Sequence, residues 1–598
     1  MMKNQQRVSK DRVCMVSLVM IGVVIALSGI FDFYYDLNDD TVIKDIISGA
    51  YTGEPSGYSV QMLYPLSWLL ALCYRAIPGV AWYGLFLCLC QFGALAMIAY
   101  RVTKVTKTRV GQITIAVITT FLGVGLLIRE LVIVQYSVTS GICMAAAIFM
   151  YITNDKSENV REALRINAVA IILVVVSFMI RTEMCLMLFP FLLLAGLSRW
   201  SEERPMWTLQ VLGKHLSVLG MALLCMGVTF GIDKLAYSQG EWGAYRDFFD
   251  ARTKLYDFYD IPSYEEHQEF YAEIGLSRES YTLLQNYNFA LDEDINAEML
   301  EQIVEYQEKL AKTGSNQLHV TGGILITKKS LKEGIWLYKE HLLQVKDDMW
   351  GYLIAVGYVF CIIFGMRNLK SGLCWKVMML LVIRSVLWIY LCMVDRMLSR
   401  ITVPLLLGEV CILFGLLWRG YHQHLFVKRG DEENMTGKTL EKWQGICAVC
   451  VITLCGISAW INYGPKVLHE YQAREAVNPR WETMLSYVQE HEDDFYLVDV
   501  YSSTSYQGTP YAEKIFENVD NSYRNWDLCG GWLVKSPLTE VKYNGIQQKV
   551  YFVATPDKDL TWFEAFYAKK GQKITLKKAD EMKMNEETIF YVYAIEAL

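Results

Sequence analysis

Three carboxylates, Asp36, Asp39 and Asp40, fall within five residues of one another, just past the apolar stretch Cys14–Phe31 and the aromatic triplet Phe33-Tyr34-Tyr35. On a helix Asp36 would share a face with Asp39 at i,i+3 and with Asp40 at i,i+4. Crowded acids raise one another's pKa, which suits a general base. The same group could instead hold a divalent cation against a phosphate. A third reading is helix capping, with Asn38 or Asp39 as N-cap to a helix through Thr41–Ile47. These residues alone leave all three open, and they require no metal.

Several cations could face a phosphate across this cluster. Arg129 lies in a short turn with Glu130. Arg181-Thr-Glu183 forms another turn. Arg396 and Arg400 lie in Asp395-Arg-Met-Leu-Ser-Arg400 ahead of an apolar helix, and Arg384 lies inside one, where a lone charge is expensive. The competing reading is interfacial snorkelling or a local ion pair, such as Arg181 with Glu183. Trp242, Tyr245 and Tyr256 offer flat faces for a sugar acceptor; the alternative is a solvated helical cap packed on its own aromatics. Trp526-Asp-Leu-Cys-Gly-Gly-Trp532 reads as a turn that binds sugar or caps a domain.

The frame that must position these groups is a membrane protein. Of 598 residues 53% are hydrophobic, and mean hydropathy is +0.22, too apolar for a large soluble chain. A net charge of −7 argues against a nucleic-acid partner. Apolar windows at 81–100, 110–128, 131–152, 166–180, 183–198, 216–235, 349–366, 372–394, 401–418 and 443–461, with the first, predict about eleven spans. The basic stretch Arg101–Arg109 belongs on the cytoplasmic side, so the apolar stretch 61–77, with Pro65 and Arg75, is a surface helix rather than a span. Lys and Arg then concentrate in the short cytoplasmic loops. The N-terminus is cytoplasmic, the first helix is a retained signal-anchor, and the loops 32–80 and 236–348 and the tail 464–598 are extracytoplasmic. The chain divides into a membrane domain, 1–463, and a tail, 464–598. Loop 236–348 reads as mostly helical. The tail reads as a small α/β domain, with strands at Phe495–Tyr501, Val550–Ala554 and Ile589–Ile595 and helices at Pro479–Glu490 and Leu560–Lys570.

Soluble-enzyme signatures are missing: there is no GxxxxGK[ST], HExxH or GxSxG. Cys447-Ala-Val-Cys450 lies in an apolar span with no second pair, and the fifteen cysteines mostly sit in apolar helices, so neither a zinc site nor a disulfide framework is expected.

A basic N-terminus, one span, then an outer loop with an acidic pair and surface helices resembles the GT-C glycosyltransferases. These include the protein O-mannosyltransferases, the aminoarabinose transferases of lipid A and the RgtA/B/C/D-like proteins. The resemblance implies a GT-C-like polytopic fold and transfer of a sugar from a polyprenyl-phosphate donor to an envelope glycan, glycolipid or protein acceptor, with inversion. It makes Asp39 of the Asp39-Asp40 pair the base, Asp36 being extra to the simplest pattern. Anionic polyprenyl phosphate leaves, so the resemblance also calls for a nearby cation, from Arg129, Arg181, Arg384, Arg396 or Arg400. A polysaccharide polymerase and a transporter or flippase of lipid-linked sugars are the rival readings. The chain lacks the paired, Gly/Pro-broken halves of inverted-repeat carriers.

Overall fold

The computed structural model describes residues 2–312, 319–321, 325–343, 349–367, 369, 372–422, 435–517, 524–543, 546 and 549–597. Parts of loop 236–348 (313–318, 322–324 and 344–348) and of the loop before the last expected span (423–434) lie outside the described residues. The helices are α1 (Met2–Ser28), α2 (Asn38–Ser48), α3 (Tyr64–Ala76), α4 (Trp82–Val102), α5 (Arg109–Val132), α6 (Tyr136–Thr153), α7 (Val160–Ile180), α8 (Thr182–Trp200), α9 (Leu209–Tyr237), α10 (Trp242–Phe258), α11 (Gln268–Glu273), α12 (Arg278–Gln285), α13 (Ala297–Lys312), α14 (Leu331–Leu343), α15 (Met349–Arg367), α16 (Leu373–Met393), α17 (Ser399–His422) and α18 (Met435–Glu490).

Among the described residues ten helices are long and apolar enough to cross a membrane: α1, α4 to α9 and α15 to α17. The eleventh expected span, 443–461, lies inside α18, a 56-residue helix that continues without a break through 463/464 toward the tail domain. Helix α3 has 13 residues and is about 20 Å long, too short for a hydrocarbon core of about 30 Å. Its first amide is capped from α9 by the Asp233 carboxylate, 2.9 Å away. The bundle is built around α6, all of whose residues are buried. Gly141 of α6 abuts Pro404 of α17, and Ile152 abuts Gly415. The spacing is the same on both helices, so the two run parallel at a constant offset.

The segment after α1, helix α10 and the tail meet at one end of the bundle. Strand β1 (Tyr34–Tyr35) pairs in parallel with β2 (Ile133–Val134). The Tyr35 N–H donates to the Glu513 carbonyl and the Ile515 N–H to the Phe33 carbonyl, at 2.9 and 2.7 Å. The tail thus closes a three-stranded ribbon with the segment after α1. Tyr34 and Tyr35 are in the core, at 0% and 1% exposure.

The tail forms a five-stranded sheet from β3 (Phe495–Val498), β4 (Trp526–Leu528), β5 (Val550–Ala554), β6 (Ile574–Met584) and β7 (Glu587–Ala597), in the order β6-β7-β5-β3-β4. Strand β3 is parallel to both its neighbours, while β7 is antiparallel to β5 and β6. This sheet domain is tied to the loop after α1. The Lys44 ammonium pairs with Glu513 at 2.6 Å, the Arg524 guanidinium with Asp45 at 3.1 Å, and the Tyr51 hydroxyl donates to Asp527 at 2.8 Å.

Candidate functional site

The three acids are held by different partners. Asp36 precedes α2 and lies outside any helix, so the shared helical face expected with Asp40 does not form. Its Oδ1 accepts from Arg129 at 2.9 Å and from Arg474 at 2.8 Å. Glu470 bonds both arginines, and Arg474 also donates to the Asp36 carbonyl at 3.0 Å. These charges, Asp36 and Arg474 buried and Arg129 and Glu470 half-buried, clamp α18 to the ribbon.

Helix α2 is capped at Leu37 with no side-chain bond, so neither Asn38 nor Asp39 is an N-cap. Asp39 and Asp40 sit in its first turn, where the helix dipole favours acids. The Asp40 carboxylate is fully buried. Its Oδ1 accepts from the Tyr83 hydroxyl at 2.8 Å and the Tyr136 amide at 3.1 Å, and its Oδ2 has no partner among the described residues. Burial, opposed by those two donors, raises the Asp40 carboxyl well above its ordinary range. Such a group binds its proton more tightly folded than unfolded. Stability therefore falls as pH rises through the unfolded value near about 4, and stops falling above the folded pKa. Asp40→Asn keeps the acceptor and removes the titration, so its stability relative to the native chain should grow between about pH 5 and pH 8. Thermal unfolding in detergent at both pH values checks this, and a shrinking margin contradicts it.

Asp39 is half-buried. Its Oδ1 accepts from the Trp532 indole N–H at 3.0 Å, and Oδ2 takes no hydrogen bond among the described residues. Trp532 is delivered by the Gly530-Gly531 turn. A Cβ on Gly530 would sit 1.7 Å from the Tyr287 carbonyl oxygen, and Gly531 has φ +111°, so both positions need glycine.

Two guanidinium groups lie within electrostatic range of Asp39 and Asp257: Arg181 and Arg252. Arg181, at the break between α7 and α8, bonds Gln61, pairs with Glu183 at 2.9 Å and lies 5.5 Å over the Tyr136 ring. Arg252 of α10 lies over Tyr287 and Tyr256, at 5.3 and 5.7 Å. Its Nε is buried without an acceptor among the described residues. Burial pulls Arg252 below its usual pKa, against the attraction of Asp257 and Asp39. Arg396 joins this group by pairing with Asp257 at 2.8 Å.

The remaining expected residues lie elsewhere. Arg129 belongs to the Asp36 clamp. Arg384 pairs inside the bundle with Glu409, which also accepts from Tyr358 at 2.7 Å. Arg400 has no ion pair among the described residues, and the α6/α17 offset sets it level with Ser137, next to Tyr136. Trp242 stacks on Tyr58 with ring centres 4.4 Å apart. The Tyr245 hydroxyl donates to the Trp532 carbonyl, and that of Tyr256 to the Leu284 carbonyl, both at 2.7 Å. These three aromatics pack the cap of the site, with Tyr245 supporting Trp532. No three His, Cys, Asp or Glu side chains converge as a metal site among the described residues.

The chain is therefore a multi-pass α-helical membrane protein with one polar site at the end of its bundle that bears the sheet domain. No protein-family model and no curated protein matches it. Among solved structures it is similar to the crystal structure of ArnT from Cupriavidus metallidurans bound to undecaprenyl phosphate. That match covers 96% of this chain and 97% of that one, at 11% identity and a TM-score of 0.35.

Proposed function

We propose that this protein is a GT-C-type glycosyltransferase that moves a sugar from a polyprenyl-phosphate donor to an envelope glycan, glycolipid or protein acceptor on the outer face of the cell membrane. The N-terminus is then cytoplasmic and the sheet domain extracytoplasmic. The observation that carries this reading is Asp39: a half-buried carboxylate with one oxygen fixed by Trp532, the other uncommitted, and two guanidinium groups beside it.

In the proposed reaction the acceptor hydroxyl attacks the anomeric carbon as its proton passes to Asp39. The bond between that carbon and the phosphate oxygen breaks with inversion, and anionic polyprenyl phosphate leaves. Arg252, with its unfilled Nε, and Arg181 stabilise the charge that develops on the phosphate. Arg396 holds Asp257 beside them, and Arg400 offers a further cation at the membrane boundary. Asp40 is the buried anchor that sets the first turn of α2.

Arg252→Gln should lower turnover about 10²–10³-fold, as for loss of one preorganised donor to a developing anion, with the membrane level of the protein unchanged. Assay of radiolabelled sugar transfer in membranes checks this, and near-native turnover would remove Arg252 from the site. The reading as a whole is tested by supplying reconstituted vesicles with polyprenyl-phosphate-linked sugar and acceptor membranes. A new glycosidic product with free polyprenyl phosphate is expected. Lipid-linked sugar crossing the bilayer with no new bond would make the protein a carrier instead.

A further inference from the structure

We propose that the opposite end of the bundle holds a binding site for a phosphate-bearing anion, about 27 Å from the Asp39 end by the length of α6. Helices α4, α6 and α17 all end there, and their last carbonyls attract cations. Two arginines are engaged by those carbonyls. Arg199 donates to the Tyr151 and Asp155 carbonyls at 3.1 and 2.9 Å. Arg419 donates to the Ile152 and Asn154 carbonyls at 3.0 and 3.2 Å and pairs with Glu202, which also holds Lys376 at 2.9 Å.

Two other cations are not accounted for in this way. Arg101 is 4% exposed, and its one hydrogen bond among the described residues runs from Nε to the Thr153 hydroxyl at 3.0 Å. Lys104 has no hydrogen bond or ion pair among the described residues; its ammonium lies 5.5 Å over the Tyr100 ring. Both line a cavity of about 330 Å³ with Thr153, Asn154, Lys156 and Arg419, within the range of small-ligand sites. Asp155 is the one carboxylate on the described wall. It acts on Arg101 and Lys104 at longer range without pairing with either.

The Thr153 hydroxyl donates to the Phe149 carbonyl and the Asn154 amide to Ile166 and Asn167. Among the described residues the uncommitted donors of this cavity are therefore the terminal nitrogens of Arg101 and the Lys104 ammonium, a pair that suits phosphate oxygens, which Arg takes two at a time and Lys as a point charge. The site lies at helix ends beside Trp418 and Tyr100, the level at which aromatics meet headgroups and at which basic pockets between spans hold anionic lipids. Two sources share this chemistry: the headgroup of an anionic lipid and a soluble phosphate.

The test uses the full chain purified in neutral detergent, with thermal shift and native mass spectrometry against phosphatidylglycerol, phosphatidylcholine and inorganic phosphate. Phosphatidylglycerol should bind the native protein and raise its Tm more than phosphatidylcholine does. Lys104→Gln should weaken that binding about fivefold, the weight of one lysine at an anionic surface, and Arg101→Gln with Lys104→Gln should remove it. If inorganic phosphate gives the same Lys104-dependent shift, the source is soluble phosphate; if it gives none, the source is the lipid headgroup. Phosphatidylglycerol and inorganic phosphate both failing to bind the native chain, or binding it and Lys104→Gln equally, would overturn the site. Lys104 makes no hydrogen bond among the described residues, so its substitution tests the site without disturbing the helix ends. None of these readouts depends on sugar transfer, so the outcome is separate from that of the Asp39 reading.

Discussion

Asp39→Asn is expected to lower glycosyl transfer by about 10²–10⁴-fold, the range associated with loss of a general base, while the protein inserts and unfolds as the native chain does. The expectation rests on how little else Asp39 does. It does not cap α2, it is half-exposed, and the Trp532 indole can donate to the amide oxygen of Asn as it does to a carboxylate. The change therefore removes the proton acceptor and leaves the packing. Asp40→Asn provides the contrast within one turn of helix. Asp40 is sealed between Tyr83 and the Tyr136 amide, so it cannot meet an acceptor hydroxyl, and its substitution should leave much of the activity. Rates measured with saturating acceptor membranes distinguish the two. A large loss for Asp40→Asn with little for Asp39→Asn would reverse the assignment.

Arg474→Ala should produce the largest loss of stability. Its side chain is 3% exposed and bonds Asp36 and Glu470 together, joining α18 to the segment that leads into the acidic turn. Removing one partner of a buried ion pair costs about 3–5 kcal/mol, because the other charge is left in a poor solvent. Arg129 still reaches Asp36 at 2.9 Å, so the lower end of that range, about 3 kcal/mol, is expected. Thermal unfolding in detergent should show a drop of about 2 °C, small because the unfolding entropy of so long a chain is large, and activity should fall with it as the turn bearing Asp39 loosens. A Tm within about one degree of native would show that the clamp contributes little.

The membrane frame was legible because it depends on local properties. Windows of apolar residues, broken where charge collects, mark the nine qualifying spans after α1 closely, and the basic run at Arg101–Arg109 was enough to remove 61–77 from the list of spans. Strands β3, β5 and β7 were legible from Val and aromatic runs. Strand β6 was not, because as an edge strand it carries Lys577, Lys578, Asp580 and Lys583 among its exposed positions and reads as a polar loop. The Asp cluster was legible as a cluster, but the partners that hold each of its acids come from distant segments. Trp532 reaches Asp39 across 493 residues, and Arg474 reaches Asp36 across 438. Arg252 has no local feature in the sequence to mark its unfilled Nε. The partner of Arg384 was hidden for the same reason: Glu409 lies on the next helix, and only packing brings the two charges together.

The most direct measurement of the central claim is the mass of the envelope acceptor in a strain lacking this protein, complemented with native chain or with Asp39→Asn at equal membrane abundance. Native chain should restore a mass increment of one sugar, and Asp39→Asn should not. An increment that persists with Asp39→Asn, or one that native chain fails to restore, would contradict the account.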